Sequence, residues 1–317
     1  MHRQGKVAVL AAALSVMAGV AWAVEPSECR NITIAHGGWT DNEAQNGFAA
    51  VVLKGLGYQT AIAISHLSIG VMLEGMKMGD VDAFLGIWTP NGDATVEPYL
   101  KAGAIRNVAT NLTGAKYALA VPTYTYEEGL RSFQDIVSFR DKLDGKIHAL
   151  EPGNDSNNVL VRMQEEKALG FETFEIVESS EQGMLGALER AIGRKEPIVI
   201  VGWAPHPMNL KFDISYLSGG DEWFGPNYGS ASVWTGLRPG YADACANALR
   251  FFQNLEFTPE LLGAAMERIL DEDATGEVVA TDVLRGNPSL LDRWLNGVTT
   301  IDGDDAKQAL RVHLGLN

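Results

Sequence analysis

Apolar and polar positions along this chain follow two rhythms, and the switches between them outline its elements. Asn31–Ala35 reads as a strand, and the helical spacing of Asn42–Leu56 closes at Gly57. A second strand, Tyr58–Ile64, precedes a helix, Ser68–Met78, that ends at Gly79. Val81–Ile87 is a third strand, and Asp93–Ala102 a short helix. Such alternation predicts a parallel-type sheet flanked by helices. A second set follows, with strands at Tyr117–Val121, Gly145–Leu150, Phe174–Val177 and Pro197–Gly202. Its helices are Asn157–Leu169, capped by Gly170, and Gln182–Ile192. After about residue 225 the pattern turns helical, over Tyr241–Leu255, Pro259–Asp271, Glu277–Gly286 and Pro288–Leu295. Thr258-Pro259 and Asn287-Pro288 place a cap residue before proline, as helix starts do.

Two α/β sets and a late helical return predict two lobes joined by crossover strands. Residues 24–115 form the first part of lobe 1, residues 116–224 lobe 2, and residues 225–317 the return to lobe 1. A site built from both sides of the intervening cleft closes around its ligand by hinge motion.

Residues 1–23 read as a removable secretory signal. Arg3 and Lys6 supply the positive start, Val7 to Val20 is almost unbroken apolar and small, and Ala21-Trp22-Ala23 has the small-x-small form of a cleavage site. A retained anchor is the alternative, but the run is short for a span. The mature protein is therefore expected to be soluble and periplasmic. Without Arg3 and Lys6, 23 of the 25 basic residues stand against 40 acidic ones, a net charge of −17. That balance argues against a nucleic-acid partner. It suits long-range attraction of a small cation, and equally suits solubility alone. The two cysteines, Cys29 and Cys245, suggest one disulfide in an exported chain, tying the first strand region to a late helix. A redox or metal pair lacks the Cys-x-x-Cys spacing or clustered histidines it needs, so no metal and no cofactor is expected.

Three tryptophans stand just past strand-like runs: His36-Gly37-Gly38-Trp39-Thr40-Asp41, Gly86-Ile87-Trp88-Thr89-Pro90-Asn91 and Gly202-Trp203-Ala204-Pro205-His206. Rings at strand ends point to where open α/β sheets bind ligands. Several rings facing one space suit a cation without hydrogen-bond donors, a methylated ammonium above all. Asp41 is the candidate carboxylate. Its competing reading is local, because Thr40 and Glu43 have capping-box spacing and put Asp41 in a first helical turn. Tyr117 opens the strand Tyr-Ala-Leu-Ala-Val and is either a core residue or a cleft wall. Asn154 lies in a turn that starts a helix, where Asp155 and Ser156 read as capping residues; its amide both donates and accepts, as reading a hydroxyl requires. Trp223, Trp234 and Trp294 read as structural. His206, between two prolines, reads as an exposed turn histidine, with anchoring of a carboxylate as the alternative.

An exported hydrolase acting on esters of such a cation is the rival class, but no Gly-x-Ser-x-Gly elbow, His-Glu-x-x-His or P-loop occurs. An amino-acid receptor would hold its carboxylate with arginine, whereas these loops offer tryptophan.

At Gly38-Trp39-Thr40-Asp41-Asn42-Glu43, Gly86-Ile87-Trp88-Thr89-Pro90, Ala115-Lys116-Tyr117-Ala118, Gly153-Asn154-Asp155 and Val201-Gly202-Trp203-Ala204-Pro205-His206, the chain resembles the periplasmic substrate-binding proteins of ABC importers for choline, glycine betaine and related quaternary amines. The resemblance runs from Cys29 to the end and is closest to choline-binding members. It implies a type II-like, hinge-closing fold, an aromatic box of Trp39, Trp88, Tyr117 and Trp203, Asp41 beside the ammonium, and Asn154 on a ligand hydroxyl. It further implies a Cys29–Cys245 disulfide, a monomer that delivers its ligand to an inner-membrane permease, and no catalytic residues.

Overall fold

The computed structural model describes residues 24–64 and 68–316; the proposed leader lies outside the described residues. Strand β1 (Asn31–His36) buries Ile32 and Ile34 and pairs in parallel with β2 (Gln59–Ile64) on one side and β3 (Ala83–Thr89) on the other. The intervening helices are α1 (Thr40–Gly55) and α2 (Ile69–Met78), with α3 (Asp93–Lys101) following β3. This first half follows the predicted pattern.

The second half is organised by β4 (Arg106–Pro122), a strand of 17 residues. It is followed by α4 (Thr123–Glu127), β5 (Lys146–His148), α5 (Asp155–Glu165), β6 (Glu175–Val177), α6 (Glu181–Arg194), β7 (Ile200–Ala204), β8 (Ile214–Tyr216) and β9 (Ser230–Leu237). The strands lie in the order β2-β1-β3-β9-β4-β7-β5-β6, with β8 also on β4. The sheet is mixed rather than parallel-type, because β9 runs antiparallel to β3 and β4, and β7 and β8 antiparallel to β4. Pairing changes partner at Lys116, which faces Ser230 of β9 and Ala204 of β7. One continuous strand thus joins the two halves.

Three further expectations need correction. The region after residue 225 is not wholly helical, since β9 occupies the middle of the sheet. Its residues are mostly buried on both faces, so period-two alternation is absent. The strand expected at Tyr117–Val121 begins eleven residues earlier, at Arg106. Register shifts between Asn107 and Ala109, Thr110 and Leu112, and Leu112 and Ala115 break the alternation there. The helix expected at Tyr241–Leu255 is two helices, Pro239–Ala244 and Ala246–Asn254. They meet at Cys245, whose backbone (φ −114°, ψ 70°) is not helical.

Trp294 packs edge-on against Phe48 of α1 at 5.7 Å and donates its indole N–H to the Glu256 carbonyl, the structural role expected of it. Trp234 is likewise buried, in β9. Cys29 and Cys245 form a disulfide across 216 positions of sequence. It anchors the start of β1 to the junction of the two late helices. Tying ends so far apart restricts the unfolded chain strongly. Replacing both cysteines by serine is expected to lower unfolding free energy by about 2–5 kcal/mol, read from the midpoint of urea denaturation at unchanged slope.

Candidate ligand-binding site

The polar face of α1 explains how the cleft is held. Thr40, Asp41, Asn42, Gln45 and Asn46 are all buried, an arrangement that is costly unless they are bonded. Asn42 Oδ1 accepts the Gly37 N–H at 3.0 Å, and Asn46 Nδ2 donates to the Ala35 carbonyl at 2.9 Å. Gln45 Nε2 reaches Asn111 Oδ1, while Asn111 Nδ2 donates to the Leu85 carbonyl and Thr235 Oγ1. These bonds fasten the first turns of α1 to β1, β3, β4 and β9. Trp39 folds back over Gly37, where a Cβ would come within 2.3 Å of the indole. Only glycine leaves that room.

Trp39, Asp41, Trp88, Tyr117, Asn154 and Trp203 come together around one cavity, joined by Ile69, Gly86, Leu150 and Asp155. The empty space between these side chains is ≈ 370 Å³. All six predicted side chains are therefore brought to one place. Their local settings differ from expectation in part. Trp88 and Trp203 lie within the last residues of β3 and β7, not in loops beyond them. Trp88 and Tyr117 pack with ring centroids 5.4 Å apart at 43°, and Phe224 meets the Tyr117 ring edge-on at 6.4 Å.

Among the described residues no lysine, arginine or histidine lines the cavity, whereas two carboxyl groups do. Burial pushes Asp41 up to about 6; repulsion from Glu181 adds to this, and hydrogen bonds from the Asn42 backbone and the Trp88 side chain oppose it. Asp155 is also raised to about 6, chiefly by burial, despite the Thr95 hydroxyl that donates to its Oδ1 at 2.8 Å. Asn154 caps α5 through its Oδ1, which accepts from Ser156 N–H, the Ser156 hydroxyl and the Tyr117 hydroxyl. Its Nδ2 donates to Glu151 Oε1, leaving one amide hydrogen available. The same Glu151 oxygen accepts the Trp39 indole N–H at 3.0 Å.

The cavity is shut. Besides Trp39–Glu151 and Thr95–Asp155, Thr40 is bonded to Glu181 and Asn91 Nδ2 to the Phe224 carbonyl. Each pair joins the first half of the sheet to the second. Two local expectations fail here. Thr40 and Glu43 do not form a capping box: Trp39 is the N-cap and has no side-chain cap bond, Thr40 bonds Glu181, and Glu43 Oε1 instead accepts the Gly276 N–H. His206 is not exposed but 4 % accessible, with Nε2 3.1 Å from Glu181 Oε1. Residues that sequence reasoning passed over are Glu151, Glu181 and, as a cavity wall, Asp155. Glu151 and Asp155 flank the Pro152-Gly153 turn, and their pairing around Asn154 was the available signal.

Residues 30–286 match the family described as the substrate-binding domain of an ABC-type glycine betaine transport system, and the chain belongs to that family. It is similar to an ABC-transporter choline-binding protein solved in complex with choline, at 42 % identity and a TM-score of 0.89, covering 92 % of this chain and 100 % of the other. The same kind of protein in an unliganded semi-closed conformation gives 42 % identity over the same shares and a TM-score of 0.84. A protein of Chromohalobacter salexigens, an uncharacterized ORF1 product, is 37 % identical over 133 residues, 42 % of this chain and 84 % of its own length. The fold is thus the two-lobed substrate-binding fold expected. Among the described residues, no helix is long and apolar enough to cross a membrane.

The buried acids make stability depend on pH. A carboxyl held near 6 in the folded state and near 3.8 otherwise stabilises fully below 3.8, and that stabilisation is lost as pH rises through 6. Asp41→Asn mimics the protonated form. Its melting temperature is expected to match wild type near pH 4 and to exceed it above pH 6.5, in thermal scans of the ligand-free protein. Parallel curves across that range would contradict the assignment.

Proposed function

We propose that this protein captures choline between its lobes and hands it to a membrane permease. The carrying observation is the cavity itself: four aromatic side chains and two buried carboxyls, with no cationic group among the described residues that line it. A quaternary ammonium spreads its charge over methyl groups and offers no donor. Ring faces with negative potential, together with a nearby carboxylate, suit it. Each desolvated ring contact contributes about 2 kcal/mol, so four supply roughly 8 before ordering costs. Net micromolar binding needs about 8 kcal/mol, so methyl burial and Asp41 must add to the rings.

In this reading Trp39, Trp88, Tyr117 and Trp203 form the box, and Asp41 stands beside the ammonium. Asn154 uses its remaining amide hydrogen on the ligand hydroxyl oxygen, and Asp155 accepts a hydrogen bond from that hydroxyl. The likeness to a choline-bound relative supports the assignment. Glycine betaine is the second reading, favoured by the family's description. Its carboxylate would need donors, and the cavity presents acids at both Asp41 and Asp155. The partner switch of β4 at Lys116 supports lobes of residues 24–115 with 225–317, and 116–224. The chain works as an exported monomer, without catalysis.

Trp203→Ala is expected to weaken choline binding at least tenfold by isothermal titration. In a thermal-shift panel, choline at about 100 times its Kd stabilises by about 2.7 kcal/mol, and betaine, carnitine and proline at equal concentration shift the melting point less. An unchanged Kd in the variant, or a larger shift with betaine, would reverse the assignment.

A further inference from the structure

Two buried side chains that do not line the cavity join its two sides. Glu181 is the first residue of α6, is 1 % accessible, and belongs to the second half of the molecule. Its Oε2 accepts the backbone N–H of Thr40 at 3.0 Å, and its Oε1 accepts the Thr40 hydroxyl at 2.5 Å. Thr40 is the first residue of α1, a 16-residue helix whose N-cap, Trp39, supplies no side-chain cap. The cap is therefore provided from across the cleft. His206 completes the arrangement. Its Nδ1 accepts the Met208 N–H at 3.0 Å, which leaves the ring proton on Nε2 to be donated to Glu181 Oε1 at 3.1 Å. Three donors thus converge on one carboxylate, which has only acceptors to offer.

We infer that Glu181, backed by His206, is a positioning latch that caps the start of α1 only when the lobes are closed and so governs how long the ligand is held. The placement makes this specific. Thr40 lies between Trp39 and Asp41, both cavity residues, and the His206 ring packs against Trp203 at 4.5 Å. The latch therefore grips the cavity's aromatic and acidic elements from outside, on both sides at once. A carboxylate at a helix N-terminus is favoured by the macrodipole and by the unpaired N–H groups there. Parting the lobes returns Glu181 and Thr40 to water, which bonds both. The contact therefore acts on the open–closed balance rather than on the folding of either lobe. Removing one partner of a buried charged bond leaves the others unpaired in the closed state and shows mainly in the dissociation rate.

The inference rests on the choline reading only for its probe. Glu181→Gln cannot accept from all three donors. It is expected to raise the choline release rate by about tenfold or more while association changes by less than about threefold, in stopped-flow tryptophan fluorescence. The ligand-free melting temperature should stay at the wild-type value. Thr40→Val, which loses the hydroxyl, should release faster as well, and Thr40→Ser, which keeps it, should behave as wild type. Spin labels on the exposed positions 71 and 189 read closure directly by electron–electron resonance, and the Glu181→Gln distribution should shift to longer distances. Wild-type release rates and distances in both Glu181→Gln and Thr40→Val would overturn the latch. Should wild type bind no quaternary amine at all, the ligand reading fails, and the ligand-free distance distribution alone decides the latch: a shift supports it and identity overturns it.

Discussion

A carboxyl group buried in a cavity that no cationic side chain among the described residues lines sets the character of this cleft. Asp41 sits in the first turn of α1, 4 % accessible, among indole and phenol rings. Desolvation is its dominant perturbation, and the neighbouring Glu181 makes the charged form less favourable still. An ordinary core would replace such a group or pair it. Here hydrogen bonds from the Asn42 backbone and the Trp88 side chain, with attraction from His206, offset the burial only in part, which suits the permanently positive guest proposed above. The buried amides of α1 follow from the same constraint. They fix the helix start so that the acid cannot swing out to water.

The two sides of the cleft make different contributions. From the first half come the rigid strand β3, with Trp88 near its end, and the helix start bearing Trp39 and Asp41. From the second come Tyr117, Trp203 and the α5 start, where Asn154 and Asp155 meet the cavity. Neutral donors facing acids tie the halves together: an indole to Glu151, hydroxyls to Asp155 and Glu181. Such contacts exchange readily for water when the lobes part, which suits a receptor that must also let go. Long-range attraction adds to this, because a strongly acidic chain raises the local concentration of cations near its surface.

Much of this site is legible in the sequence. Trp39, Trp88 and Trp203 stand out because glycine precedes each, directly or with one residue between, and polar or proline residues follow at the end of a strand-like run, whereas Phe48 and Trp294 fall inside stretches of helical spacing. The first half of the fold is readable for a similar reason, since its strands and helices alternate with clean periods. What is hidden arises from long-range pairing. β9 and the first part of β4 acquire strand geometry from each other, through irregular register that erases alternation. His206 looks exposed between prolines because its partner, Glu181, is 25 residues away in the chain. Thr40 and Glu43 have a local capping spacing, but distant partners outcompete it, namely Glu181 for one and Gly276 for the other.

The pairing at Lys116 has an architectural consequence. Lys116 and Ser230 are paired in register on adjacent antiparallel strands, so the polypeptide leaves the first sheet segment and returns to it at almost the same point. Topologically the stretch between them is an insert hung on a hairpin-like doorway. Evolution can lengthen, shorten or exchange such an insert without rerouting the remainder of the backbone. Tyr117, Asn154, Asp155 and Trp203 thus reach the cavity from one inserted stretch, while Trp39, Asp41 and Trp88 belong to the backbone outside it.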